Sequence, residues 1–251
     1  MLALVTGGTR RLGAAIAARL AKAGYDLALH SHSAAEPEPA LAEAIRASGV
    51  RWASFPADLA DEAAVDRLFP QVIAHFGAAP SILINSASRF GADDWSNATI
   101  ATMVEHYAVN AAAPARLAQQ LVENLGVGQG GVVINLLDQR IVSPPVDQAS
   151  YTASKLALAG ITQALARALA PRVRVCGIAP GLTLPTPDYS PAQLERLATA
   201  MPLGRLPTPD DIAAAALYLV EAQATTGQVL FVDGGASMVS FERDFLFMTR
   251  D

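Results

Sequence analysis

Hydrophobic and polar positions follow two alternating periods along this chain. Short, nearly continuous apolar runs lie at Leu2 to Val5, Asp26 to His30, Trp52 to Ala57, Ser81 to Ile84, Val132 to Leu136, Val173 to Ile178 and Gln228 to Val232. Runs of this length and character read as strands covered on both faces. Between them apolar residues recur at helical spacing: from Leu12 through Leu20 to Gly24, then over Pro39 to Ser48, Asp61 to Phe76, about Thr99 to Leu125, Gln148 to Leu169 and Pro209 to Val220. Strand and helix in alternation predict an α/β fold, a doubly wound parallel sheet of about seven strands in a single domain, residues 1–251. The Pro-rich residues 182–208 interrupt the pattern, with a short helix expected at Pro191 to Ala200, and are expected to form a lid that shapes substrate choice. Residues 236–251 extend past the last strand and carry Phe241, Phe245 and Phe247. Exposed aromatic runs find cover, so Phe241 to Met248 have an interface reading and a packing reading, of which packing against a neighbouring subunit is favoured.

Composition narrows the partners. With 52% hydrophobic and 16% charged residues, the 251-residue chain supports a large core rather than disorder. A net charge of -5 gives no support to a nucleic-acid or anionic-membrane partner, so a small-molecule substrate is expected. The single cysteine, Cys176, excludes an intrachain disulfide framework and a cysteine-based zinc site, and its apolar run predicts a buried core thiol. No His/Asp/Glu cluster has metal-ligand spacing, so no metal is expected. The first apolar stretch stops at Gly7-Gly8, far short of a membrane span or a signal peptide, and a cytoplasmic location is the default expectation.

Ligands of doubly wound sheets bind outside the carboxyl ends of the strands. Gly7, His30, Asp58 with Leu59, Asn85, Asp138 and Pro180 are all expected just after strands. The turn Thr6-Gly7-Gly8 leads into a helix, whose free N–H groups suit an anion such as a pyrophosphate. Its spacing, Gly7-x-x-x-Arg11-x-Gly13, departs from the dinucleotide pattern G-x-G-x-x-G, so the turn alone is weak evidence. The second strand ends in His30-Ser31-His32-Ser33, with no acid until Glu36. An acid there would bond a ribose 2′-hydroxyl. Hydroxyl and imidazole donors tolerate a 2′-phosphate, and Arg10 and Arg11 add positive charge nearby, which favours NADP(H) over NAD(H). His32 could also be merely solvated.

Tyr151 and Lys155 are four residues apart and share a helix face. A lysine beside a tyrosine favours the phenolate and lowers a pKa normally about 10, so Tyr151 is expected to exchange a proton near neutral pH. Tyr-x-x-x-Lys is also an ordinary surface pair, and its position after a strand end is what raises it. Asp138 is more telling. An ionised Asp offers only acceptors and would repel the alkoxide formed when a ketone is reduced. Reduction of a ring C=N bond instead needs a proton on nitrogen, which a carboxylate beside a tyrosine can hold or relay. Asp138 therefore favours a nitrogen heterocycle, the alternative being a loop carboxylate bonded to backbone N–H groups. Asp147 is expected to cap the helix carrying Tyr151, as Asp61 or a neighbour caps its own. His75 and His106 read as surface or packing residues, and Phe90 as either a ligand platform or a packing aromatic.

Over nearly its whole length the chain resembles the short-chain dehydrogenase/reductase family. The match is carried by Thr6-Gly7 with Gly13, Asn85-x-Ala87, Asn110, Tyr151-x-x-x-Lys155, Pro180-Gly181 and Asp233-Gly234-Gly235, in family order. The resemblance implies a Rossmann-type sheet of seven parallel strands, a nicotinamide cofactor and often a homotetramer. It implies Tyr151 as proton donor, Lys155 on the nicotinamide ribose, and Asn110 holding a proton-relay water. Arg11 replaces the usual middle glycine, and Asp138 the usual serine thirteen residues before the tyrosine. Both departures resemble the pteridine reductase branch, including bacterial dihydromonapterin reductases, as do Arg10-Arg11-Leu12-Gly13, Leu29-His30-Ser31-His32-Ser33 and Ala87-Ser88-Arg89-Phe90. Carried over, Phe90 would stack on a pterin, Ser88 and Arg11 would contact pterin or cofactor phosphate, and Thr183 would lie near the nicotinamide. Leu12, Ser33, Leu59, Ala87 and Gly181 complete the implied cofactor contacts. The leading expectation is an NADPH-dependent reductase taking a dihydropterin or dihydrofolate to its tetrahydro form, with Tyr151 and Asp138 delivering the proton. An NADPH-dependent 3-oxoacyl or ketone reductase is the alternative. A non-catalytic NADP(H)-binding protein is a third, opposed by the intact Tyr151, Lys155 and Asn110.

Overall fold

The computed structural model describes residues 1–91, 93–184, 189–239, 241, 243–245 and 248. Phe247 and residues 185–188 of the expected lid lie outside that set. Seven strands run β1 (Leu2–Thr6), β2 (Asp26–Ser31), β3 (Trp52–Pro56), β4 (Ile82–Asn85), β5 (Gly131–Leu136), β6 (Val173–Pro180) and β7 (Val229–Val232). They form one parallel sheet in the order β3-β2-β1-β4-β5-β6-β7. The chain order reverses between β1 and β4, which opens a crevice at their carboxyl ends. Thr6 pairs with Asn85, and Asn85 with Asn135, so a polar row marks that end of the sheet. His30, Asn85 and Pro180 fall within the last residues of their strands rather than beyond them.

The continuous apolar runs have the predicted cause. In β1, Ala3 and Val5 face one layer while Leu2 and Leu4 face the other. The first layer holds α1 (Arg11–Lys22), α2 (Pro39–Ser48) and α8 (Pro209–Glu221). The second holds α3 (Glu62–Phe76) and α5 (Ala113–Asn124), with α6 (Ala149–Ala168) beside them. Cys176 is fully buried in the first layer, as its run predicts. Asp61 caps α3 by accepting from the Ala63 N–H. The short helix at Pro191–Ala200 is present as α7.

Three expectations are corrected. The helix predicted from Thr99 to Leu125 is α4 (Ile100–Tyr107), a π-helical turn (Ala108–Ala112) and then α5. Pro114 explains the break, because it has no N–H for the Asn110 carbonyl four residues back and its ring crowds that carbonyl. Asp147 does not cap α6. Gln148 stands at the cap position without a side-chain bond to the helix N–H groups, and Asp93 from a distant loop accepts from the Ser150 N–H at 3.2 Å. The tail does not await a neighbouring subunit for cover: Phe245 is buried with Leu197 and Met201 of the same chain, and Phe241 and Met248 pack on that cluster.

The phosphate turn is shaped by close backbone approach. Gly7 takes φ +61°, and a Cβ there would sit 3.0 Å from the Ala87 Cα. A Cβ on Gly13 would lie 2.1 Å from the Gly7 carbonyl oxygen. Gly13→Ala should therefore destabilise the fold by more than about 3 kcal/mol, since backbone rather than a yielding side chain is in the way. A chemical melt of this variant within about 1 kcal/mol of the parent would contradict that reading.

Candidate active site

The cofactor end is built on the turn after β1. Thr6 Oγ1 accepts from the Ser86 and Ala87 N–H groups at 3.0 Å, which ties the β1 turn to the β4 exit. Arg11 keeps the left-handed conformation of the glycine it replaces, φ +57°, at a cost of about 1 kcal/mol. Its side chain is exposed, as are those of Arg10, His32 and Ser33. The Arg11 N–H donates to Glu38 Oε2 at 3.1 Å, so a carboxylate already occupies the mouth of this helix N-terminus. An anion-ready backbone turn, flanked by two exposed arginines, fits a dinucleotide phosphate.

Several residues expected on the cofactor have side chains bound into the scaffold. His30 is buried, its Nδ1 accepting from the Gly7 N–H at 3.2 Å and its Nε2 within 2.9 Å of the Ala57 carbonyl. Burial pulls its pKa down, so it is a neutral strut under the turn and no phosphate donor. Asn85 Nδ2 donates to Asn135 Oδ1 at 2.8 Å, and Asn135 to Thr162 Oγ1 at 2.9 Å. The Leu59 side chain is buried in the second layer and that of Leu12 packs against the first, which leaves mainly backbone for a ligand. Asp58 Oδ1 accepts from the Ala60 N–H and lies 3.7 Å from His32. Thr183 Oγ1 donates to the Gly181 carbonyl at 3.0 Å, where the loops after β6 and β7 touch too closely for a side chain on Gly181.

At the reacting end, α6 presents Tyr151 and Lys155 and the β5 exit presents Asp138. The Tyr151 hydroxyl donates to Asp138 Oδ2 at 3.0 Å. Lys155 Nζ donates to the Leu136 carbonyl at 2.8 Å and stands 5.6 Å from the Tyr151 ring centroid. The expected lowering of the Tyr151 pKa by Lys155 is corrected here. Burial and the Asp138 carboxylate push the phenol well above its ordinary value, and Arg140 is the cation that pulls the other way. Tyr151 is therefore a protonated donor at neutral pH, while burial pushes Lys155 down to about 8.

Asn110 lies at the π-helical turn and clamps the loop after β4. Its Oδ1 accepts from the Arg89 N–H at 2.7 Å and from Ser88 Oγ at 3.3 Å, and its Nδ2 donates to the Arg89 carbonyl and Ser154 Oγ, both at 2.9 Å. With its amide so engaged, any water would be held by its backbone carbonyl, which Pro114 leaves without an α-helical donor. Phe90, 57% exposed, meets the Tyr151 ring edge to face with centroids 4.8 Å apart.

Arg140 is the residue the sequence reading missed. It is 5% exposed, lies 4.8 Å from the Tyr151 ring centroid and forms ion pairs with Asp138 at 3.0 Å and Asp244 at 2.9 Å. The Nε contact to Asp138 is off the line of a hydrogen bond, while the Arg140 backbone N–H donates squarely to the same oxygen at 3.0 Å. Burial works against its charge, but Asp138, Tyr151 and Asp244 together raise its pKa. A charged residue two positions after a candidate catalytic Asp was the available signal. Among the described residues no cluster could hold a metal ion and no helix is long and apolar enough to cross a membrane.

A switch-point crevice with an anion-ready turn at one end and a buried Tyr–Lys pair at the other defines a dinucleotide-dependent oxidoreductase. Comparison with known proteins refines that class. Residues 7–237 match the family model described as Enoyl-(Acyl carrier protein) reductase. The chain is 35% identical over 248 residues to an uncharacterized oxidoreductase of Mycobacterium tuberculosis, covering 96% of this chain and 94% of that one. It is 30% identical over 250 residues to the 3-oxoacyl-[acyl-carrier-protein] reductase FabG of Staphylococcus aureus, covering 94% and 98%. Among solved structures it superposes on FolM alternative dihydrofolate reductase 1 from Brucella suis, in complex with NADP, with a TM-score of 0.85, 36% identity and 95% coverage of both chains. The chain belongs to the short-chain dehydrogenase/reductase family.

Lys155 gives a pH prediction. Its folded value lies below the ordinary lysine value of about 10, so the charged amine is penalised in the native state alone. That penalty is full below about pH 8 and disappears as the pH rises above it. Tyr151, shifted upward, opposes this only above about pH 10. The protein without cofactor should gain about 2 kcal/mol between about pH 8 and about pH 10 in urea melts, and Lys155→Met should flatten the rise.

Proposed function

We propose that this protein is an NADPH-dependent reductase of a pterin-like ring, taking a dihydropterin or dihydrofolate to its tetrahydro form. The observation that carries the reading is the 3.0 Å bond from the Tyr151 hydroxyl to Asp138. A carbonyl reductase needs donors where charge develops on oxygen. Here the second group is an acceptor, held in place by a buried guanidinium. That suits a substrate presenting N–H or amino groups, and a ring nitrogen that takes up a proton. The 36% identity to an alternative dihydrofolate reductase supports it.

Gly7, Arg10, Arg11, His32 and Ser33 would hold the adenosine phosphates, and Lys155, Pro180, Gly181 and Thr183 would face the nicotinamide half. When bound, NADPH supplies the hydride. Tyr151, kept protonated by burial, gives its proton to the ring nitrogen beside the reduced carbon. Asp138 accepts from Tyr151 and offers its remaining lone pairs to the ring's N–H groups. Phe90 provides an exposed aromatic face at the mouth, Ser88 and Arg11 line the route to it, and Asn110 fixes that loop. Residues 182–208 are the segment assigned to shaping substrate choice. A homotetramer in the cytoplasm completes the proposal, supported by exposed Ile100, Val104 and Tyr107 on α4 and Leu156 on α6.

Reduction of a 3-oxoacyl group or ketone is the second reading, favoured by the 30% identity to FabG. Oxidation of NADPH, compared with NADH, over a panel of dihydropterins, dihydrofolate, 3-oxoacyl thioesters and simple ketones separates the two. Turnover of a dihydropterin or dihydrofolate is expected, and turnover of ketones alone would sink the proposal. Tyr151→Phe should lower kcat by about 10²- to 10⁴-fold while NADPH still binds. Asp138→Ser should remove most pterin reduction, whereas a carbonyl reductase would keep or gain activity.

A further inference from the structure

The C-terminal tail reaches the reacting end through one guanidinium. Asp244 Oδ2 accepts from Arg140 Nη2 at 2.9 Å, across 104 residues of chain. Arg140 Nη1 donates to Gln148 Oε1 at the start of α6, and the guanidinium packs on the Tyr151 ring. The tail is itself anchored. The Asp244 N–H donates to Asp147 Oδ1 at 2.9 Å, Phe245 is buried against α7, and Gln193 of α7 donates to the Phe245 and Met248 carbonyls at 3.3 and 2.8 Å. Asp244 is 9% exposed.

We propose that Asp244 is a positioning residue of the reduction site: the tail carboxylate fixes the Arg140 guanidinium, and Arg140 in turn holds Asp138 and the Tyr151 hydroxyl in register for proton delivery. The proposal rests on Tyr151 being the proton donor, but not on which substrate is reduced. A buried guanidinium has five N–H donors, and leaving one without an acceptor is costly. With Asp244 in place, Nη2 is satisfied from the tail, and Asp138 meets Arg140 through Oδ1 alone, which accepts from the backbone N–H and pairs with Nε by charge. Oδ2 then stays available to Tyr151. Without Asp244, the free edge turns to Asp138 and competes with Tyr151 for it. The charge balance shifts as well. Beside Tyr151, Arg140 is paired with both Asp138 and Asp244, and losing Asp244 leaves its charge balanced by Asp138 alone. The other charged groups near the tail contact are Asp147 and Arg243, 3.6 Å apart, and α7 carries Glu195 and Arg196.

The sign follows. Excess positive charge favours the phenolate, so Asp244→Asn should move the alkaline limb of the kcat profile to lower pH by about one unit. At neutral pH kcat should fall about tenfold, with KM for NADPH unchanged. Asp244→Glu, which keeps the charge, should restore the limb. A role confined to stability would lower the melting temperature and leave the limb in place, and that result with folded Asp244→Asn overturns the proposal. If Asp244→Asn does not fold, Phe245→Ala decides, because it loosens the tail with every charge retained. It should lower kcat and shift the limb in the same direction, and a profile identical to the parent overturns the proposal. The kinetics use whichever pterin or ketone the parent enzyme reduces. If it reduces none, the functional reading fails separately, and the tyrosinate absorbance titration of parent against Asp244→Asn, each with its Tyr151→Phe partner, still tests the positioning: an unshifted Tyr151 transition overturns it.

Discussion

A guanidinium buried at the carboxyl end of the sheet constrains everything around it. Arg140 cannot shed its charge, and in a dry site an unpaired charge costs several kcal/mol. The structure answers with partners from three separated segments: the Asp138 charge at the exit of β5, and acceptors on Gln148 at the start of α6 and Asp244 in the tail. Satisfying one side chain thereby fixes the β5 exit, the helix that carries Tyr151, and the end of the chain relative to one another. Gln148 adopts φ +54° to present its amide there, a conformation few non-glycine residues hold unless their surroundings demand it.

The same buried charge reorders the electrostatics of the Tyr–Lys pair. From the sequence, Lys155 is the natural partner that lowers the tyrosine. In the folded chain Lys155 is turned to the Leu136 carbonyl, and Arg140 lies nearer the ring. Spacing on a helix says which residues share a face, but not which way a flexible lysine turns when a carbonyl competes for it. The Tyr151 hydroxyl then finds Asp138, and burial keeps the proton on it. A protonated phenol with an acceptor partner is a different device from an activated phenolate, and it is the one that the proposed reduction needs.

The sheet was legible because its five inner strands are buried on both faces, so their apolar runs stand out against amphipathic helices on either side. Strand ends and the phosphate turn followed, since Gly7 and Gly13 are dictated by backbone contact. What escaped the sequence were long-range polar decisions. The cap of α6 comes from Asp93, in a loop far along the chain, and Asp147 is engaged by the tail instead. The break in the helix around Asn110 was signalled by Pro114, yet its consequence, an asparagine amide clamping Ser88 and Arg89, depends on a loop that only the fold brings near. His30 shows the same limit: its position near the cofactor end was readable, its burial as a strut was not.

These contacts connect the two halves of the site in an order that sequence distance conceals. The loop bearing Phe90 is held by Asn110, and Asn110 by Ser154 on the helix of Tyr151. Helix α7 is held by the tail, and the tail by Arg140. Both arms therefore converge on α6, one through a neutral amide and the other through a charge. Removing a neutral clamp changes position and local dipoles but no net charge. A charged one transmits position and potential together. The Phe90 loop and the tail can therefore both act on Tyr151: Ser88 of the loop through a hydrogen bond that favours the phenolate, and the tail through the charge of Arg140.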